Sequence, residues 1–136
     1  MDGNNVIPLH KNQKSNTFDG ILKGIREKVV RLNATENILT LDLNSSNVFH
    51  INLKKNLINI TFDKLPETDL SYSAVLILKQ DSYGFRKAIF PENVYWSFGE
   101  TAVLATKPGY ADVITLMTFD GGETYYASHS LANLGK

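Results

Sequence analysis

Three carboxylates near the end of the 136-residue chain are the side chains best suited to catalysis: Asp112, Asp120 and Glu123. A glycoside hydrolase needs two carboxyl groups about 5 to 10 Å apart across a sugar. Asp120, however, fits a turn, Glu123 fits an exposed strand start, and Asp112 fits a strand entry. Because no convincing pair remains, we expect a protein that is not an enzyme.

The sequence also lacks the motifs that bind metals and cofactors. It contains no cysteine, which excludes disulfides, thiol catalysis and cysteine-ligated metals. The three histidines, His10, His50 and His129, have no metal-ligand spacing. No serine-nucleophile motif, phosphate-binding loop or calcium loop occurs. The sequence therefore predicts no cofactor and no metal site.

Aromatic residues form the remaining candidate site. Trp96 is the only tryptophan, and it follows Tyr95. Aromatic rings can stack on sugars as well as fill a core. Two alternatives stay open: a core Trp96, or a glycan platform formed by Trp96, Tyr95 and Tyr125, with Tyr126 as the substitute for Tyr125. An exposed indole would support the platform, and a buried one would remove it.

Apolar residues at every second position indicate that strands carry these side chains. The triplets are Leu39, Leu41 and Leu43; Phe49, Ile51 and Leu53; and Ile58, Ile60 and Phe62. Short polar segments at 44–47 and 54–56 predict hairpin turns between them. Residues 73–79 and 112–119 are apolar on both faces, which predicts cover on both sides, within a sandwich or across a subunit interface.

The segment FDGGETYYAS, residues 119–128, predicts an antiparallel hairpin. Asp120-Gly121 is typical of a type I′ turn, with Gly122 in a bulge position. Tyr125 and Tyr126 must then point to opposite faces, so at most one of them joins the core. The only plausible helix lies around residues 18–27, where Gly20 and Gly24 weaken it.

Together these patterns predict an all-β fold of seven to nine strands: an antiparallel, jelly-roll-like β-sandwich over residues 25–136. Residues 1–24 are rich in Asn, Lys and Gly and predict an extended N-terminal arm. The 14 basic and 14 acidic residues balance, which gives no global reason to bind nucleic acid or an anionic membrane. Zero net charge favours a protein that lives in an assembly. No signal peptide or membrane-spanning run is recognisable, so we expect folding in a cytoplasm.

Six short motifs occur in order along residues 26–127: Arg26–Val30, Asn47–Phe49, Ile60–Phe62, Ser73–Asp81, Pro91–Trp96 and Asp112–Tyr126. The last is the most specific and fits the pattern D-V-[IL]-T-x-x-[TS]-x-D-G-G-x-T-[WY]-Y closely. Together these motifs resemble a module of bacteriophage structural proteins, including tail-fibre-associated and minor virion proteins. After Pro91–Trp96 this chain has Ser97-Phe98-Gly99, where that family has a glycine-rich turn.

The resemblance implies a non-enzymatic virion component, assembled in the cytoplasm of a host bacterium. A free-standing module suits a small decoration or attachment subunit of the head or tail, in contact with other virion proteins. It also implies a homo-oligomer, with a trimer as one form. The alternative function, which rests on the aromatic residues, is a carbohydrate-binding module that recognises host surface glycans. The arm would dock on the virion through its apolar residues: Val6, Ile7, Pro8, Leu9 and Phe18.

Overall fold

Nine strands and one short 3₁₀ turn make up the computed structural model, which describes residues 19–136. The number of strands agrees with the prediction from the sequence. They are β1 (Val29–Ala34), β2 (Ile38–Asp42), β3 (Val48–Leu53), β4 (Leu57–Asp63), β5 (Thr68–Gln80), β6 (Lys87–Ile89), β7 (Val94–Trp96), β8 (Ala111–Asp120) and β9 (Tyr125–Leu134), and the 3₁₀ turn is Ser97–Gly99.

The strands form two sheets that pack around one apolar core. The six-stranded sheet has the order β1-β3-β5-β8-β9-β7, and the three-stranded sheet has the order β2-β4-β6. Phe49, Ile51 and Leu76 of the larger sheet are fully buried together with Leu41 and Ile58 of the smaller one. Because alternate side chains enter the core, the predicted all-β, sandwich-like fold is confirmed.

Strand direction differs from the prediction. The strands β1, β3 and β5 are parallel neighbours in the larger sheet, and β2, β4 and β6 are parallel neighbours in the smaller one. The chain therefore alternates between the two sheets from β1 to β6, and the pairs β1–β2, β3–β4 and β5–β6 form three successive turns of a coil. The prediction of hairpins at 44–47 and 54–56, and hence of an antiparallel jelly roll, was wrong, because both segments cross from one sheet to the other.

Within residues 19–136, the antiparallel strand pairs all involve β8. This strand pairs with β5 on one side and with β9 on the other, with Met117 opposite Tyr126. This confirms the hairpin predicted for residues 119–128. The edge strand β7 then adds parallel to β9. Sheet edges are thus β1 and β7 in the larger sheet and β2 and β6 in the smaller one.

The segment between β6 and β8 completes the core beyond the smaller sheet. Phe90 is buried, and the half-buried Trp96, Ala102 and Leu104 pack against the same cluster. Ala105 is buried as well, and its N–H donates to Asp112 at the start of β8. The smaller sheet has three strands and the larger one six. The segment between β6 and β8 therefore covers core residues that the smaller sheet leaves uncovered.

Residues 73–79 and 112–119 are only half covered on their outer face. Ala74, Leu76 and Ile114 point inward and are buried, whereas Ile77 and Val113 point outward and are half-buried. Among residues 19–136 there is no third layer over this face. Within residues 19–136 the outer face of these strands therefore has no covering layer, and cover by a subunit interface stays a prediction.

Residues 19–28 contain no helix, so the helix predicted around residues 18–27 is wrong over the part that the structure describes. Gly24 has a φ of 61°, a left-handed conformation that interrupts helical geometry. The segment has no regular secondary structure, bends at Gly20 and Gly24, and is exposed up to the first residue of β1. Within residues 19–136, no helix has the length and apolar character needed to span a membrane.

Candidate binding surface

The three candidate carboxylates do not come together. Asp112 and Asp120 lie near opposite ends of β8, eight residues and therefore about 27 Å apart along an extended strand. That distance is far beyond the carboxyl spacing of a glycoside hydrolase. Asp120 and Glu123 share a turn, but the Asp120 carboxylate already accepts hydrogen bonds from the Thr118 hydroxyl and the Thr124 N–H.

Asp112 holds the end of the larger sheet together. Its buried carboxylate accepts hydrogen bonds from the N–H groups of Ala105 (2.7 Å) and Asn133 (3.2 Å), and it lies 2.8 Å from Nε2 of His129. These partners come from the irregular segment before β8 and from β9. A buried carboxylate is stable only with such partners, so this arrangement explains Asp112 as a structural residue.

The DGG sequence of the hairpin is also explained by packing. Gly121 and Gly122 both have positive φ, whereas Asp120 does not, so the turn begins one residue later than the predicted type I′ turn. The Gly122 N–H donates to the buried Thr118 hydroxyl. The Asp120 carboxylate accepts from the Thr124 N–H, and this hydrogen bond is the largest cause of a lowered pKa for Asp120.

Trp96 belongs mainly to the core. Its half-buried indole meets the Phe90 ring edge-on, with ring centroids 5.1 Å apart. Tyr95, which directly precedes Trp96 in the edge strand β7, points to the other face of the sheet. Trp96 and Tyr95 therefore do not share a surface, and a platform containing both is not formed.

Tyr125 is not part of a platform either. Only 1% of its surface is exposed, and its ring packs 4.6 Å from that of Phe62. Burial, followed by the charge of Asp120, raises the pKa of the phenol. The prediction of Tyr125 as a glycan-binding residue was therefore wrong. Its neighbour Tyr126 is 49% exposed on the opposite face, as expected for adjacent residues of a strand.

An exposed aromatic cluster does form on the outer face of the larger sheet. Tyr95 and Tyr126 are paired across β7 and β9, with ring centroids 6.3 Å apart and nearly perpendicular planes. Phe119 adds a third ring, 6.2 Å from that of Tyr126. We call Tyr95, Tyr126 and Phe119 the aromatic corner. The three rings offer flat apolar surfaces for contact. Tyr95 was one of the predicted platform residues and Tyr126 was the substitute for Tyr125, whereas Phe119 was not predicted.

Comparison with known proteins adds no relative. No family model matches the chain. Searches of curated proteins and of solved structures found no match either. Conclusions about function therefore depend on the geometry and on the sequence resemblance alone.

The N-terminal segment provides a second candidate surface. Val6, Ile7, Pro8, Leu9 and Phe18, predicted as docking residues, lie outside the described residues. Within the described part, Ile21, Leu22 and Ile25 are 85%, 61% and 62% exposed. The Lys28 carbonyl accepts a hydrogen bond from the Ser46 hydroxyl, which fixes the point where the segment joins the domain.

Residues 19–136 contain no group of three or more His, Asp or Glu side chains arranged to hold a metal ion. His50 lies on the outer face of the larger sheet, because it alternates with the buried Phe49 and Ile51 in β3. Burial, and then the charges of Arg31 and Lys79, lower its pKa. The surface properties that distinguish this domain are therefore exposed apolar groups and the distribution of charge.

Proposed function

We propose that the chain is a non-enzymatic structural subunit of a bacteriophage virion, a small decoration or attachment protein that docks through its N-terminal arm. The observation that carries the docking role is the exposure of Ile21, Leu22 and Ile25 on a segment without regular secondary structure. Each branched side chain would gain about 1.5 to 3 kcal/mol on full burial. A partner that covers this segment therefore has a clear driving force to bind it.

The outer face of the larger sheet supports an assembly role as well. Val75, Ile77, Val113 and Met117 form a half-exposed apolar stripe across β5 and β8. Exposed apolar stripes of this kind are typical of interaction surfaces. The proposal that this assembly is a virion rests on the resemblance of Asp112–Tyr126 and the preceding motifs to phage structural proteins.

The docking role is tested by replacing exposed apolar residues of the segment 19–28, which joins the arm to β1. The double variant Ile21→Asp/Ile25→Asp removes two apolar contacts and lowers the net charge by two. The matched control Lys23→Gln/Arg26→Gln lowers the net charge by the same amount in the same segment and keeps the apolar residues. Each is expressed during infection, and the chain is quantified in purified particles.

We expect the apolar variant to lose most of its incorporation and the control to keep it. Normal incorporation of the apolar variant would overturn the docking role. Both variants should unfold at the same temperature as the wild type, because the substituted residues are exposed and make no core contact.

A second candidate function is weak binding of host surface glycans at the aromatic corner. The observation that favours it is the exposure of three neighbouring rings, Tyr95, Tyr126 and Phe119. Titration with a host cell-surface polysaccharide would test it. Tyr126→Ala should weaken binding, whereas Tyr83→Ala, which removes an exposed tyrosine in a distant loop, should not. Equal affinities for both variants would count against this function.

A further inference from the structure

The strand directions sort the loops of the domain into two opposite ends. The strands β1, β3, β5 and β9 all run the same way in the larger sheet, and β8 runs against them. The strands of the smaller sheet run back in the opposite sense, because each follows a short connection from the larger sheet. A strand of six residues separates the two ends by about 20 Å.

One end is dominated by carboxylates. It contains the ends of β2, β4 and β8, the start of β5 and the connection between β6 and β7. Lys64 is the only basic residue among these positions. The segment 19–28, which joins β1 at this end, adds three basic and two acidic residues. We call this the carboxylate end, and its acidic residues are Asp42, Asp63, Glu67, Asp69, Glu92, Asp120 and Glu123.

The other end is dominated by lysines. It contains the connections β1–β2, β3–β4 and β5–β6 and the loop before β8. Its carboxylates are Glu36, Asp81 and Asp112; Asp81 is paired with Arg86 at 2.8 Å, and the buried Asp112 is paired with His129 at 2.8 Å. We call this the lysine end, and its lysines, all exposed, are Lys54, Lys55, Lys79, Lys87 and Lys107.

These charges are not neutralised within the domain. Among residues 19–136, the two ion pairs are Asp81–Arg86 and His129–Asp112, and neither uses a residue of the carboxylate end or one of the five lysines. The separation of about 20 Å also exceeds the Debye length of about 8 Å at physiological salt. Although basic and acidic residues balance in number, positive and negative charges are therefore concentrated at opposite ends of the domain.

Each end also presents apolar side chains. At the lysine end Tyr83 and Phe85 are exposed in the β5–β6 connection. This loop is held rigid, because the Asp81 carboxylate accepts hydrogen bonds from the N–H groups of Tyr83 and Gly84 and from the Arg86 guanidinium. The carboxylate end exposes Leu65, Leu70 and Phe119.

We propose that copies of this chain associate head to tail, with the lysine end of one copy on the carboxylate end of the next. Charge complementarity selects the partner, and Tyr83 and Phe85 provide apolar contact to Leu65 and Leu70. Such a contact is heterologous, so it continues into a ring or a filament rather than ending at a dimer. The inference goes beyond arm docking, since residues 1–28 take no part in it.

The test compares charge reversals at three exposed positions. Lys54→Glu/Lys55→Glu/Lys87→Glu makes both ends acidic, and Glu67→Lys/Glu92→Lys/Glu123→Lys leaves four acidic and four basic residues at the carboxylate end, which removes its negative charge. The control, which we call the arm control, is Lys23→Glu/Arg26→Glu/Lys28→Glu; it makes the same change in net charge as the first variant, but in the segment 19–28 that joins the arm to β1. Circular dichroism confirms the fold of each, and sedimentation equilibrium measures the average mass as a function of concentration.

We expect the wild type and the control to associate at about 0.01 M ionic strength and to dissociate near 1 M, where the Debye length falls from about 30 to 3 Å. Each end-reversed variant should remain monomeric alone and associate when the two are mixed. A monomeric wild type at low salt, or an unimpaired end-reversed variant, would overturn the proposal. Loss of association in the arm control would overturn it too.

Carbodiimide cross-linking of a mixture of ¹⁴N- and ¹⁵N-labelled wild type provides the contact map. The reagent joins a lysine directly to a carboxylate, so a mixed-isotope link from Lys54, Lys55 or Lys87 to the carboxylate end is intermolecular. We expect such links at low salt. Mixed-isotope links found only between other surfaces would contradict end-to-end contact. Failure of arm docking with these links intact would affect the proposed function and not this inference.

Discussion

The phenol oxygen of Tyr125 lies so close to Gly122 that a Cβ at residue 122 would be only 2.6 Å away from it. Gly122 also has a φ of 85°, which side chains rarely adopt. The two residues therefore depend on each other: the tyrosine enters the core only because the turn has no side chain at this point. The DGG-to-tyrosine spacing is a packing motif.

We predict that Gly122→Ala lowers the free energy of unfolding by about 2 to 5 kcal/mol, from the left-handed backbone and the clash together. Gly109→Ala is the matched control, since Gly109 has a φ of 76° and no atom within 4 Å of a Cβ. It should cost only about 1 to 2 kcal/mol. Urea denaturation measures both, and equal losses would show that the contact with Tyr125 has no energetic weight.

Asp112→Asn should destabilise the domain by about 1 to 3 kcal/mol, because one carboxylate oxygen that accepts a buried N–H becomes an amide donor. The N–H donors of Ala105 and Asn133 lie on either side of the carboxylate and cannot both be satisfied. Asp63→Asn, at an exposed strand end, is the control and should change stability by less than about 0.5 kcal/mol. Comparable losses in both variants would argue against a structural role for Asp112.

Tyr72 should make stability depend on pH in the alkaline range. Burial, then Tyr125 and Asp42, raise its pKa from 10.0 to about 12, and its hydroxyl donates to the Ser46 carbonyl at 2.7 Å. Because the folded state holds this proton more tightly, the contribution is complete below pH 10 and is lost as pH rises towards 12. Tyr72→Phe should remove this component of the pH dependence, measured by urea denaturation from pH 9 to 12. An unchanged pH profile would contradict the shift.

Trp96→Ala should cost about 2 to 3 kcal/mol of stability, because the indole packs on Phe90 at the border of the core. Phe98→Ala is the control, since its ring is 98% exposed and touches no part of the core cluster. The control should alter stability by no more than about 0.5 kcal/mol. A Trp96→Ala protein as stable as the wild type would reopen the indole as a binding platform.

The sequence predicts the strands of this fold better than it predicts their neighbours. Alternating residues such as Phe49, Ile51 and Leu53 define which face is buried, and this requirement is the same in parallel and antiparallel sheets. The polar segments 44–47 and 54–56 are short enough for hairpins. They instead connect two sheets, and only the long-range pairing of Val29 with Val48 reveals it.

The same argument applies to the candidate surface. The alternation of Tyr125 and Tyr126 predicts that one ring is buried, but the choice between them depends on the register of β8 and β9 and on the space left by Gly122. Phe119 was hidden within an apolar run, although its place directly before the turn is a signal of exposure. The charge separation between the two ends follows from strand direction and could not be found from composition.

The most direct test of the proposed virion role is a quantitative mass-spectrometric count of this chain in gradient-purified particles from a phage infection in which the chain is expressed. A structural subunit is predicted to be present at a fixed number of copies relative to the major head or tail protein and to remain after repeated purification. A chain that is made during infection but missing from the particles would contradict the proposed function.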